Sequence, residues 1–201
     1  MPSSRALRVP TRVVAEIGVM LAVFATLDLL AVRLPINVAG GSVSLAMVPV
    51  ALYGLLRGPK LGILFGALAG ALDMMVAPYF VHPAQIALDY SVAYAAVGLA
   101  GLFGPALRVA LDRRRPAVIG SIAAGAVGAG AALRLGVHWL SGVIFFGSFA
   151  PANQPVWLYS LIYNTSYIWP SAVASAVVVA AVVSPVSKVI PALAPKLSGR
   201  G

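Results

Sequence analysis

The sequence predicts an all-α membrane protein with six transmembrane helices, and three observations lead to that class. Hydrophobic residues make up 61% of the 201 residues, whereas charged residues make up only 9%. The mean hydropathy is +0.97. A soluble domain carries about a quarter charged residues, so this chain lacks the composition of a soluble surface. Apolar runs also recur at lengths close to the roughly 20 residues that cross a bilayer as a helix.

Prolines, glycines and charged residues divide the apolar sequence into six segments. These segments form one predicted membrane domain, residues 12–186, which lies between a basic N-terminus (1–11) and a basic tail (187–201). The predicted helices cover residues 12–34, 43–56, 60–77, 84–107, 116–147 and 156–183.

The lysines and arginines predict the orientation in the membrane. If the N-terminus is cytoplasmic, twelve of the fourteen basic residues fall on the cytoplasmic side, with Arg33 outside and Arg134 inside the fifth helix. This asymmetry is the positive-inside pattern, and it predicts a multi-pass protein of the cell membrane with both termini in the cytoplasm. We interpret the basic run 113–115 as a topology anchor, with lipid or nucleic-acid binding as the alternative, and the distribution of the net charge of +9 favours topology.

Residues 133–170 combine charged, imidazole, amide and aromatic side chains within an otherwise apolar chain. Residues spaced by four share one face of a helix. One such series comprises Arg134, His138, Gly142 and Phe146. The same spacing relates Tyr159 to Tyr163 and Ser160 to Asn164. Polar groups inside apolar helices are costly unless they face a partner or a cavity, so this stretch predicts one wall of a ligand pocket. The nearly uncharged outer loops 35–42, 77–83 and 148–155 resemble a lid over that pocket.

Asp89 is the carboxylate that we expect to be functional, because it lies early in the fourth helix beside Tyr90. An ion pair with Arg134 or His138 is the alternative, and both roles are compatible. Glu16, Asp28 and Asp73 lie near helix ends, where an interfacial position or a local ion pair suffices.

Flat aromatic faces beside a carboxylate favour a small heteroaromatic ligand, especially a cationic one. The faces that we expect to contribute belong to Phe146, Tyr159, Tyr163, Tyr79 and Trp157. With two histidines and no cysteine, the sequence predicts no metal site. It also contains no nucleophile elbow, zincin motif or phosphate-binding loop, so we expect no catalytic residues and no cofactor.

Small residues on two helices predict close helix packing. Gly62, Gly66 and Gly70 form a ladder on the third helix, which favours packing within the bundle. Gly18 and Ala22 on the first helix are better candidates for contact with another protein.

Three blocks of sequence resemble one family. They are GGSVSLAMVPVALYGLLRG, HPAQIALDYSVAYAAVGLAG and LRLGVHWLSGVIFFGSFAPANQPVWLYSLIYNTSYIWPS. They closely resemble the thiamine-specific S-components of energy-coupling factor (ECF) transporters. The resemblance implies a six-helix S-component bundle that binds thiamine near the outer face. It also implies a transmembrane T-component and two cytoplasmic ATPases as partners, so that ATP hydrolysis would be performed by those partners.

The resemblance also implies roles for individual residues. In the thiamine site it implies Asp89, His138, Asn164, Tyr159, Phe146, Tyr79, Arg134, Gly142 and Tyr90. At the T-component interface it implies Gly18 and Ala22. Some members carry glutamate at the position of Asp89 and tryptophan at that of Phe146, and a first-loop tryptophan aligns near Gly40. The alternatives are an S-component for another vitamin or a thiamine precursor, or an intramembrane enzyme or scaffold.

Overall fold

The computed structural model describes residues 10–32, 41–76, 78–79 and 81–189, and within these ranges six helices form one bundle. The helices are α1 (Thr11–Leu29), α2 (Met47–Arg57), α3 (Pro59–Val76), α4 (Pro83–Asp112), α5 (Pro116–Phe145) and α6 (Val156–Val189). The predicted six-helix class is therefore confirmed. Most of the predicted basic N-terminus and tail, together with Arg33 and Gly40, lie outside the described residues.

The helices differ in how well they suit a bilayer. By length and composition, α3, α4, α5 and α6 can each cross a membrane, whereas α2 is a shorter apolar helix. The 19 residues of α1 include three charged side chains, Arg12, Glu16 and Asp28. Because charged groups are costly in hydrocarbon, each of these three needs a partner or a polar surrounding.

The glycine ladder of α3 packs directly against the backbone of α4. A Cβ atom added at Gly62, Gly66 or Gly70 would lie 2.4, 2.3 or 2.2 Å from the carbonyl oxygen of Gly98, Tyr94 or Tyr90. Small residues allow this approach because no side chain separates the two backbones. The ladder is therefore a packing surface inside the bundle, as the sequence predicted.

Glu16 joins α1 to α2 at the opposite end of α1 from Asp28. Its Oε1 atom accepts hydrogen bonds from Arg12 Nε at 3.0 Å and from the Arg57 guanidinium. The Arg57 side chain is only 3% exposed, so this ion pair is largely shielded from water. The pairing fulfils the expectation of a local ion pair for Glu16.

Residues 41–46 are attached to α6 close to a proline in that helix. Pro170 lies inside α6, and the next residue, Ser171, donates its hydroxyl to the carbonyl of Tyr167 at 2.6 Å. The same hydroxyl accepts the backbone N–H of Ser44 at 3.1 Å. Gly41 has a φ of +84°, and a Cβ atom there would lie 2.7 Å from the Tyr167 ring. These contacts hold the segment 41–46 against α6.

Candidate ligand-binding cavity

A cavity of about 430 Å³ lies among α1, α3, α4, α5 and α6, with the segments 41–44 and 78–79 at its edge. This volume falls in the usual range for pockets that enclose a small organic molecule. The nine site residues that the family resemblance implied all line the cavity, and they are Tyr79, Asp89, Tyr90, Arg134, His138, Gly142, Phe146, Tyr159 and Asn164. The four-residue spacing on α5 therefore produced the shared face that the sequence predicted.

The π-helical turn Ala87–Val92 positions the acidic side of the cavity. π-Helical turns are uncommon and occur often at functional sites. This one carries Asp89 and Tyr90, two consecutive residues that both line the cavity. The Tyr90 hydroxyl accepts the N–H of Tyr79 at 2.7 Å and lies 3.1 Å from the Tyr79 carbonyl oxygen, to which it donates. This pair of hydrogen bonds holds the Tyr79 backbone at the cavity edge.

Asp89 presents one bound and one available carboxylate oxygen. Oδ2 accepts a hydrogen bond from Gln85 Nε2 at 2.7 Å. Oδ1 is buried and lies 3.2 Å from His138 Nδ1, but among the described residues it accepts no aligned hydrogen bond. Of the two partners considered from the sequence, His138 is therefore the one that lies within ion-pair distance of Asp89. A buried oxygen without an aligned donor is a strong acceptor for a ligand N–H group.

The hydrogen bonds of His138 define which ring nitrogen carries its proton. Arg134 Nε lies 3.4 Å from His138 Nε2, and an arginine nitrogen can only donate. A neutral His138 therefore carries its hydrogen on Nδ1, on the side of Asp89. The Arg134 guanidinium lies over the Tyr94 ring, 4.1 Å from its centroid, which is a cation–π contact. Arg134 and His138 are each 9% exposed, so both belong to the interior wall.

Asn164 is fixed at the contact between α5 and α6. Its Nδ2 atom donates to the carbonyl oxygens of Ser160 at 2.8 Å and His138 at 3.3 Å. Its Oδ1 atom accepts the Tyr167 hydroxyl at 2.6 Å, which leaves one lone pair of that oxygen. Since Asn164 is 5% exposed, these bonds determine the direction of its amide.

Aromatic rings form the outer part of the lining. Tyr79 and Phe146 are stacked with ring centroids 6.2 Å apart, and the Tyr159 and Tyr163 rings lie 5.8 Å apart. The expectation for Trp157 was wrong, because that ring lies outside the lining and is 52% exposed. The carbonyl of Trp157 instead accepts the indole N–H of Trp139 at 3.0 Å.

Sequence reasoning missed several cavity residues, among them two tyrosines and two aspartates. Tyr94 and Tyr167 were not distinguished from other aromatic residues, although they support Arg134 and Asn164. Asp28 and Asp73 were assigned to helix ends, yet both line the cavity. The signal that could have identified them is the rule that an acid within an apolar span is a functional candidate. In the described ranges, no three histidine and acidic side chains are grouped so as to hold a metal ion.

Comparison with known proteins identifies the family. The sequence model of the family described as thiamine transporter protein (Thia_YuaJ) matches residues 14–190. The chain belongs to this family. Membership confirms the resemblance seen in the sequence, and it makes the chain a multi-pass membrane transport protein rather than an enzyme.

Two curated relatives and one solved structure agree with this assignment. A Bacillus subtilis (strain 168) protein named "Thiamine transporter ThiT" is 40% identical over 165 residues, which are 81% of this chain and 85% of that protein. A Lacticaseibacillus paracasei protein of the same name is 29% identical over 137 residues, or 66% of this chain and 68% of that protein. A solved structure of ThiT from Listeria monocytogenes superimposes with a TM-score of 0.80 at 22% identity. That match covers 90% of this chain and 97% of the other, and it shows that the fold is shared.

Proposed function

We propose that this chain is the S-component of an ECF transporter and that it binds thiamine in the cavity and carries it across the membrane. One observation carries the proposal. A carboxylate, an imidazole and a carboxamide, those of Asp89, His138 and Asn164, line the same cavity as a group of aromatic rings. Family membership and the two relatives named as thiamine transporters support the choice of ligand.

The two ring systems of thiamine match the two parts of the lining. The aminopyrimidine has an amino group that donates and ring nitrogens that accept hydrogen bonds. Asp89 Oδ1 and the remaining lone pair of Asn164 Oδ1 accept from such donors, and His138 supplies a ring N–H. The thiazolium ring is a flat cation, and the aromatic faces of Phe146, Tyr159 and Tyr79 stabilise such a ring.

Titration of the tryptophan fluorescence of the purified protein in detergent tests the ligand. Trp139 is a suitable reporter, because its carbonyl accepts the Ser160 hydroxyl at 2.9 Å beside the cavity wall. We expect thiamine to bind more tightly than riboflavin or pyridoxine. Absence of saturable thiamine binding, or tighter binding of another vitamin, would overturn the proposed ligand.

Variants of the hydrogen-bonding residues locate the site in the same assay. His138→Ala and Asn164→Ala should each weaken thiamine binding by about 1–3 kcal/mol, because each leaves a buried partner without its hydrogen bond. His82→Ala is the matched control, since His82 is exposed, does not line the cavity and stacks on Phe145. Wild-type affinity in both cavity variants would contradict the assigned site.

The proposed partners are a T-component and two ATPases. The proposed contact with the T-component is the face of α1 that points away from the helix bundle. Gly18 and Ala22 are exposed there, and a Cβ atom at Gly18 would have no atom within 4 Å. Exposed neighbours, including Val19 at 65% and Val23 at 42%, extend the apolar surface. Small residues on such a face allow a helix of another subunit to approach closely.

Bulky residues on this face should separate transport from binding. We expect Gly18→Leu combined with Ala22→Leu to abolish thiamine uptake by cells and copurification of the T-component, with thiamine affinity unchanged. Gly125→Leu on α5 is the control, because Gly125 is also exposed with no atom within 4 Å of an added Cβ. Normal uptake by the double variant would exclude this face as the contact.

A further inference from the structure

Asp28 and Asp73 form a carboxyl pair on the wall of the cavity. Asp28 is near the end of α1 and Asp73 near the end of α3, and both side chains line the cavity. The two carboxyl groups are neighbours on this wall, close enough for each to act on the other. The pair therefore places two carboxyl groups on the surface that a bound ligand would face.

No basic residue among those that the structure describes is in direct contact with this pair. Within the described ranges, the basic side chains that lie within 4.0 Å of a carboxylate approach Glu16 and Asp89, but neither Asp28 nor Asp73. Arg134 is the cation whose charge acts on both. Its guanidinium, however, lies over the Tyr94 ring, and its Nε atom donates to His138. An anionic pair inside a helix bundle is unfavourable unless a positive charge approaches it.

The pair comes from helices other than those that carry the groups proposed to hold the aminopyrimidine. Asp89, His138 and Asn164 belong to α4, α5 and α6, whereas Asp28 and Asp73 belong to α1 and α3. A ligand whose first ring is held by α4, α5 and α6 would extend its second ring into the remaining cavity volume, toward α1 and α3. In thiamine the second ring is the one with the permanent positive charge.

We propose that Asp28 and Asp73 are the specificity determinants that select a cationic ligand, by placing carboxylate charge on the part of the cavity wall that its charged ring faces. This inference rests on the proposed function, and it assigns the charge selection to the α1–α3 wall. The aromatic faces stack on the same ring, and Asp89 contributes a hydrogen bond to the other ring. The pair acts on any ligand that enters, so it also disfavours a neutral molecule of the same shape.

Two ligands of the same shape test the assignment on one protein. Thiamine and a neutral isostere, in which a thiophene ring replaces the thiazolium ring, are titrated against the wild type and against Asp28→Asn combined with Asp73→Asn. We expect the double variant to lose about tenfold or more in affinity for thiamine, while its affinity for the isostere stays the same or increases. The affinity for thiamine divided by the affinity for the isostere should therefore move toward one in the double variant.

The controls separate this inference from a structural role and from the proposed function. Asp112→Asn removes an exposed acid at the end of α4 outside the cavity, and it should leave the ratio unchanged. If the double variant does not fold, Asp28→Asn alone gives the same comparison with a smaller expected change. Equal loss for both ligands, or an unchanged ratio, would overturn the assignment. Absence of thiamine binding to the wild type would instead refute the proposed function.

Discussion

A valine in place of Gly142 is expected to weaken thiamine binding by a factor of about one hundred or more. A Cβ atom at this position would lie 2.1 Å from Ser160 Oγ, 3.0 Å from Ser160 Cβ and 3.4 Å from Asn164 Nδ2. The serine hydroxyl cannot move away easily, because it donates to the carbonyl of Trp139 at 2.9 Å. Even the first added carbon therefore displaces Ser160 and the adjacent amide of Asn164, and the two methyl groups of valine require more space.

We expect the affinity of Gly142→Val for thiamine to fall by a factor of about one hundred or more, since overpacking costs about 1–3 kcal/mol and the Asn164 amide is moved as well. The fluorescence titration measures this change. Gly136→Val is the matched control on the same helix, because Gly136 is exposed and has no atom within 4 Å of an added Cβ. Normal affinity in Gly142→Val would show that Ser160 and Asn164 are not part of the site.

Asp89→Asn should weaken thiamine binding by about 1.5–3 kcal/mol, the usual contribution of a hydrogen bond to a charged group. The fold should be retained, because the oxygen of asparagine can still accept the hydrogen bond from Gln85. What is lost is the negative charge beside His138 and the acceptor at Oδ1.

Asp89→Glu provides the comparison for this prediction, since it keeps the charge and moves the carboxylate by about one C–C bond. We expect its affinity for thiamine to lie between those of the wild type and Asp89→Asn in an equilibrium titration. If asparagine binds thiamine as tightly as aspartate, the carboxylate does not contact the ligand.

The six helices could be predicted because apolar length and proline positions determine where a span can lie. The observed helix ends differ from the predicted ones where those signals are weak. The first helix ends at Leu29 rather than at residue 34, and the sixth continues through Pro185 to Val189. A proline inside a membrane helix is tolerated when neighbouring groups satisfy the freed carbonyl.

The cavity was predictable where its residues lie on one helix, and not where they come from several helices. Arg134, His138 and Gly142 share a face through simple spacing. The pairing of Asp28 with Asp73 depends on how α1 packs against α3, and spacing along the chain contains no information about that contact. The joint exposure of Asp89 and Tyr90 to the cavity depends on a π-helical turn, which hydrophobic periodicity does not reveal.

The direct backbone contact between α3 and α4 has a mechanical consequence. Sliding motions of helices need a layer of side chains that can change rotamers, and at Gly62, Gly66 and Gly70 no such layer exists. We therefore expect these two helices to move as one rigid unit, which keeps Tyr90 and Asp73 at a constant separation. A ligand is then expected to enter and leave by displacing the segments 41–44 and 78–79 at the cavity edge rather than by separating α3 from α4.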